Sequence, residues 1–309
     1  MTPEFTIPEL TEVVARVSAL LGPRDGSVVQ LDGGITNRNF RVNFGGTDYV
    51  VRLPGKRTEL LGIDRAAECT ANKVAAELGI APRVATMIEE PSCLVTEFVT
   101  GREMTADELR TPDATSEVAR DLRLLHDSDA DLPTTFDSFR LVERYAEVAR
   151  EHGVRVPDGY DEALAAAGEI EKTVREHPEH QPVPCHNDLL TANFLSDGNR
   201  VLIIDWEYAG MGDRWFDLGN FAANNELGDE LEARLLEEYF GDPPDERRRA
   251  TLELFRFMSD FREAMWGVVQ SGVSELDFDF GDYATKHFAR LEAARSDERF
   301  GGWIEAARA

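Results

Sequence analysis

One stretch of this 309-residue chain restricts the fold more than any other: residues 185–205, CHNDLLTANFLSDGNRVLIID. It sets a histidine, an aspartate and an asparagine in an apolar run, turns at Ser196–Asn199, and ends the unbroken apolar segment Val201–Ile204 on Asp205. A short apolar run bounded by turn residues reads as a buried strand. It is the one clear β interruption in sequence that is otherwise helical from Gly101 onward. Helical spacing there covers about 113–127, 137–152, 160–176, 228–240, 246–272 and 282–296.

The first hundred residues read differently. Residues 8–21 place Leu10, Val13, Val14, Val17, Leu20 and Leu21 on one helical face. Strand patterns follow at SVVQLDGG, NFRVNF and DYVVRL, separated by Gly33-Gly34 and Gly45-Gly46, and again at RVATMI and CLVTEF around the turn EEPS. Residues 64–79 read as a helix closed by Gly79. The expected class is α+β and bilobal: a small antiparallel sheet lobe with one inserted helix over 1–98, and a larger, mainly helical lobe over 99–309. EFVTGRE, near 98–104, connects them.

Composition narrows the partners. The formal charge is −26, which repels nucleic acid and anionic membrane surfaces and suits a cationic small molecule, though solubility alone also accounts for it. Cys69, Cys93 and Cys185 are widely spaced, and no C-x-x-C pattern suggests a disulfide framework or zinc. The N-terminal MTPEFTIPEL has neither a basic region nor an apolar core, so no signal peptide is read. No apolar run approaches 18 residues. The cytoplasm is the expected location.

Asp188 and Asn193 stand at the D-x4-N spacing of a kinase catalytic loop, in which the aspartate accepts the acceptor's hydroxyl proton and the asparagine holds magnesium. Asp205, at the end of an apolar strand, is placed for a second magnesium contact. One carboxylate and one amide oxygen meet magnesium's demand for a few hard oxygen ligands, with phosphates and water supplying the rest. Singly, each residue has a structural role open to it: a helix cap, a turn, a strand end. Jointly, His-x-Asp-x4-Asn followed by turn, apolar strand and aspartate points to phosphoryl transfer.

HNDLLTANFL, IIDWEYAGMGDRWFDLGN and MWGVVQSGVSELDFDFGDYATKHF resemble the choline/ethanolamine kinase family, its bacterial members above all, within the wider aminoglycoside-phosphotransferase group of kinase-like folds. The resemblance runs from about residue 30 to 291. It implies an ATP- and Mg2+-dependent kinase acting on the hydroxyl of a small amino alcohol. Asp188 would be the base, Asn193 and Asp205 the metal ligands, and His186 a support for the loop. Gly33, Gly34, Thr36 and Asn37 would belong to a phosphate-covering hairpin. Arg52 would pair the nucleotide phosphates, with Glu68 orienting it. Glu97 and Val99 would lie at the hinge that meets adenine.

For the acceptor, the resemblance implies an aromatic cage of Tyr208, Trp266, Phe278, Phe280 and Tyr283, whose ring faces attract an ammonium. Core packing is the other role open to these rings. Two positions depart from the eukaryotic pattern. Glu263 replaces the first tryptophan of Trp-x-x-Trp, and Asn224, with Glu226 close by, stands where an acid is usual. Both weaken the case for choline specifically, which stays the first reading, and leave ethanolamine or another amino alcohol open. An aminoglycoside-type or other small-metabolite kinase is the second reading, and a nucleotide-binding pseudokinase the third. A metal-dependent hydrolase would lack ligands, because Asp188 and Asp205 have no histidine set beside them.

Overall fold

A helix, α1 (Pro8–Leu21), opens the described chain, with Leu10, Val13, Val14 and Val17 buried along one side. The computed structural model describes residues 8–31, 37–55, 57–90, 92–175, 177–274, 276 and 278–308. After α1 come strands β1 (Arg24–Leu31), β2 (Arg38–Phe44) and β3 (Thr47–Leu53), helix α2 (Arg65–Glu77), and strands β4 (Val84–Ile88), β5 (Cys93–Glu97) and β6 (Arg102–Glu103). The five longer strands form one antiparallel sheet in the order β1-β2-β3-β5-β4. Every second residue of β2, namely Phe40, Val42 and Phe44, is buried, and with Val51, Leu53 and Val95 these side chains cover the buried side of α1. Each such side chain contributes about 1.5–3 kcal/mol when fully buried. Asp64 caps α2 by accepting from the backbone N–H groups of Ala66 and Ala67, and Gly79, at φ +83°, ends it.

The next segment is helical: α3 (Ala106–Leu109), α4 (Pro112–His126), α5 (Ser138–Glu151) and α6 (Tyr160–Val174). Then come β7 (Pro182–Cys185), β8 (Phe194–Ser196), β9 (Val201–Ile203) and β10 (Gly210–Asp213). The chain ends with α7 (Arg214–Asn224), α8 (Asp229–Phe240), α9 (Glu246–Val273), α10 (Phe280–Ser296) and α11 (Phe300–Ala306). The class is thus α+β, with an antiparallel N-terminal sheet and a mostly helical remainder. Two compact units result: Met1–Glu103 with Ala192–Glu207, and Met104–Thr191 with Tyr208–Ala309. In the first unit β6, β8 and β9 form a second small sheet, and in the second unit β7 pairs with β10. Helix α9 runs through the core of the second unit and packs against α5, α7, α10 and α11.

The structure corrects the sequence reading in several places. β1 starts at Arg24, three residues early, and a register shift between Asp25 and Val29 absorbs the extra length. Gly33, Gly34 and Thr36 lie outside the described residues. Helix α7 has no counterpart among the expected helices. Its residues from Trp215 to Ala223 are all buried, so the helix lacks the one-sided periodicity that marks a surface helix. Gly219 lets α7 approach α9 closely, since a Cβ there would lie 2.5 Å from the backbone carbon of Phe255. No helix among the described residues is long and apolar enough to cross a membrane.

Candidate functional site

Two constellations of polar side chains stand out, one in each unit. In the first unit, the buried strand β9 delivers Asp205, which sits two residues past the strand end at φ +67°. That conformation is uncommon for a residue other than glycine and is held only where the surroundings impose it. The backbone N–H of Ile204 donates to the carbonyl of Asn193 at 2.9 Å, which brings these two hard-oxygen residues onto one hairpin. Their side chains supply a carboxylate and an amide, a donor set that suits magnesium.

Arg52 points away from the core-facing Val51 and Leu53, as strand alternation requires. Its Nη1 donates to Glu68 Oε1 at 2.5 Å and to Asp205 Oδ1 at 2.7 Å. Burial works against the charge of Arg52, but Asp205 and Glu68 outweigh it and hold the guanidinium firmly protonated. A second layer extends the cluster. Arg65 Nη1 donates to Glu68 at 2.7 Å and to Glu207 at 3.0 Å, and its Nη2 donates to Asn37 at 3.0 Å. Asn37 Nδ2 in turn donates to Glu207 at 2.9 Å, so this side chain is engaged inward by protein groups. Three acids therefore face two arginines. Burial, reinforced by Asp205 and opposed by Arg65 and Arg52, pushes Glu207 up to about 7. Arg52 and Asp205 also line a cavity of about 360 Å³ in this unit, together with Val50, Leu94, Glu97 and Val99. That volume lies at the lower end of the range for small-molecule sites. The backbone N–H of Glu97 is already taken by the Arg83 carbonyl at 2.8 Å.

In the second unit, the loop from His186 to Thr191 is fastened by one helix. Asp217 on α7 is buried, and its carboxylate accepts from the backbone N–H groups of His186 (2.8 Å) and Asn187 (2.6 Å) and lies 3.0 Å from His126 Nε2. His126 Nδ1 lies 2.7 Å from the Tyr239 hydroxyl. Three residues on, Asn220 accepts from the backbone N–H of Leu189. Just past the helix, Asn225 Nδ2 donates to the Leu189 carbonyl at 3.2 Å, and its Oδ1 accepts from the Thr191 hydroxyl at 2.8 Å. The loop thereby holds Asn187 at φ +67° and presents Asp188. His186 supports it from within, its Nδ1 accepting from the Asp188 backbone N–H at 3.1 Å.

Asp188 Oδ1 accepts from Arg262 Nη1 at 3.0 Å, and the same nitrogen donates to Glu263 Oε1 at 2.6 Å. Arg262 and Glu263 are both buried on α9. Burial opposes the charge of Arg262, but Glu263 and Asp188 more than offset it. The Tyr283 hydroxyl donates to Glu263 Oε2 at 2.7 Å; burial first, and that carboxylate second, keep the phenol protonated. Trp266 Nε1 donates to the Tyr208 hydroxyl at 2.9 Å. The Trp266 ring meets those of Phe280 and Tyr283 edge-on at 5.6 and 5.5 Å, and Phe278 lies against both of the latter. Thus Tyr208, Glu263, Trp266, Phe278, Phe280 and Tyr283 are gathered in one cluster. Asn224 ends α7, where its buried Nδ2 has no hydrogen-bond partner among the described residues, and Glu226 is near Arg110 at 3.7 Å.

Sequence reasoning assigned no chemistry to Arg65, Glu207, Asp217, Asn220 or Arg262. Glu207 and Asp217 stood inside quoted motifs as unexplained acids. The one signal for Arg262 was a charged pair, Arg262-Glu263, set in an apolar helical stretch.

The sequence pattern described as the phosphotransferase enzyme family matches residues 27–252. The protein LicA of Haemophilus influenzae is 27% identical over 276 residues, covering 85% of this chain and 77% of that protein. Mouse ethanolamine kinase 2 is 29% identical over 270 residues, covering 77% and 68%. The crystal structure of a choline/ethanolamine kinase family protein from Mesorhizobium loti superposes with a TM-score of 0.83 at 30% identity, over 97% of this chain and 99% of the other.

Proposed function

The chain belongs to the phosphotransferase enzyme family, and we propose that it is an ATP- and magnesium-dependent kinase for the hydroxyl of a small amino alcohol, choline or ethanolamine. One observation carries this acceptor class. Asp188, suited to take a hydroxyl proton, and Glu263, suited to hold an ammonium, are bonded to one guanidinium beside the rings of Tyr208, Trp266 and Tyr283. An alcohol that also carries a cation needs both groups, and aromatic surroundings strengthen its binding. The names of the mouse ethanolamine kinase and of the Mesorhizobium loti choline/ethanolamine kinase family protein support the same class.

The roles proposed for the individual residues are those the family resemblance implies, joined to the chemistry of each side chain. Arg52, oriented by Glu68, pairs the nucleotide phosphates, and the cavity beside Glu97 and Val99 takes the base. Gly33, Gly34 and Thr36 are proposed to cover the phosphates. Asn193 and Asp205 hold the magnesium, which when bound neutralises phosphate charge. Asp188 orients the acceptor hydroxyl and receives its proton as the new O–P bond forms and the bond to ADP breaks. Glu263 neutralises the acceptor ammonium and, unlike a tryptophan, accepts hydrogen bonds from a primary amine. Trp266, Tyr208, Phe280, Tyr283 and the half-exposed Phe278 enclose its apolar part, and Asn224 completes the acceptor site.

The test is magnesium-dependent ADP release against choline, ethanolamine, other amino alcohols, several aminoglycosides and no acceptor, with Asp188→Asn as the control. Turnover with choline or ethanolamine, lost by several orders of magnitude in Asp188→Asn, supports the proposal. Turnover with an aminoglycoside alone would keep the family and overturn the acceptor class.

A further inference from the structure

Arg262 is an expensive residue for its position. It lies on α9 among Met258, Phe261 and Met265, all buried and apolar, and only 1% of its side chain is exposed. Taking a cation out of water costs several kcal/mol unless partners and hydrogen bonds make up for it, and an apolar side chain of similar volume is often as stable or more so. Folding alone therefore gives little reason for a guanidinium here. Its contacts suggest another reason. Nη1 alone reaches two acids, Asp188 Oδ1 and Glu263 Oε1, and the planar group lies over the Tyr208 ring with its carbon 4.3 Å from the ring centre. Nε and Nη2 find no hydrogen-bond partner among the described residues. Internal hydrogen bonding is thus incomplete, while the two links to carboxylates are short.

We infer that Arg262 is a positioning residue for phosphoryl transfer: one guanidinium, clamped on Tyr208, holds the Asp188 carboxylate at a fixed offset from Glu263. The inference rests on the reading of Asp188 as the base and of Glu263 as the ammonium partner. Two acids tied to one nitrogen are set at a near-constant separation, and this selects, from the rotamers of a two-carbon amino alcohol, the one whose hydroxyl and ammonium match it. Alignment of this kind is worth large factors in rate, since misplacement by about 1 Å can cost roughly a hundredfold. Lysine offers one donor nitrogen as well, but it lacks the guanidinium carbon that rests over Tyr208 and fixes where that nitrogen lies.

The experiment compares Arg262→Lys and Arg262→Ala with wild type and with Asp188→Asn, using the full chain and the amino alcohol that gives turnover. For Arg262→Lys, kcat is expected to fall at least tenfold while the KM for ATP stays within twofold. For Arg262→Ala, a larger loss is expected, with at least a fivefold recovery of rate on adding guanidinium chloride at tens of millimolar, below denaturing concentrations. Asp188→Asn should show no such recovery. A kcat for Arg262→Lys within threefold of wild type overturns the inference, as does a folded Arg262→Ala that ignores guanidinium. If Arg262→Ala does not fold, Arg262→Lys decides alone, and if neither folds, Arg262 is a core residue and the inference is overturned. Near-normal turnover by Asp188→Asn is a different failure: it removes the base reading itself.

Discussion

Replacing Asp217 by asparagine exchanges one carboxylate oxygen for an NH2 of nearly the same size, inside a site with no access to water. In the native protein Asp217 Oδ2 accepts from the His186 backbone and faces His126 Nε2, while Oδ1 accepts from the Asn187 backbone at 2.6 Å. The variant's amide can keep its oxygen toward the first pair, but its nitrogen then faces the Asn187 N–H, donor against donor. The lost hydrogen bond to a charged group is worth about 1.5–3 kcal/mol, and a buried unsatisfied donor costs about 1–3 kcal/mol more. A destabilisation of about 3–5 kcal/mol follows, a large share of the roughly 5–15 kcal/mol that holds a domain folded. At about 2–4 °C per kcal/mol for a domain of this size, Tm should fall by roughly 10 °C. The loop that relaxes is the one that presents Asp188. So kcat should fall about a hundredfold at a temperature where the variant is still folded, with the KM for ATP little changed. Scanning calorimetry and steady-state ADP release measure the two effects. A Tm within 2 °C and a kcat within twofold of wild type would refute the claim that Asp217 holds the loop. A lower Tm with unchanged kcat would separate stability from catalysis and refute the second step alone.

Other consequences are open to direct measurement. Trp266→Ala should raise the KM for the acceptor tenfold or more and that for ATP less than twofold, and equal changes in both would count against an acceptor site built around this ring. Asp205→Asn should raise the magnesium concentration for half-maximal rate at least tenfold, by removing the one carboxylate of the proposed metal pair; an unchanged magnesium titration would exclude that role. Glu232 on α8 gives a pH dependence away from the site. Burial raises its pKa from 4.5 to about 7, against the pull of its partner Arg256. A carboxyl whose folded pKa is raised favours the native state while protonated, so its contribution is complete below about pH 4.5 and is lost as pH rises through about 7. From pH 4.5 to 7 the stability of wild type relative to Glu232→Gln should therefore drop by roughly 3 kcal/mol, and a difference independent of pH in urea melts would rule this out.

Much of this protein was legible in its sequence because the signal was local. The period-two pattern of Phe40, Val42 and Phe44 and the helical spacing of Leu10, Val13 and Val17 reflect which face each element buries, and that face depends only on neighbours in the chain. Asp188, Asn193 and Asp205 were visible for the same reason: the roles proposed for them, a base and a hard-oxygen pair, fall within 18 residues of sequence. Helix α7 escaped because it is buried all round, so no face distinguishes it. Arg65, Glu207 and Arg262 escaped because their meaning is set by partners 142 residues away for the first pair and 74 for the last. Nothing in a linear pattern tells a solvated arginine from one buried between two carboxylates. That distinction comes from desolvation, which depends on everything packed around the side chain. Only the tertiary structure, by packing α9 against the Asp188 loop, decided that Arg262 would be buried between two carboxylates.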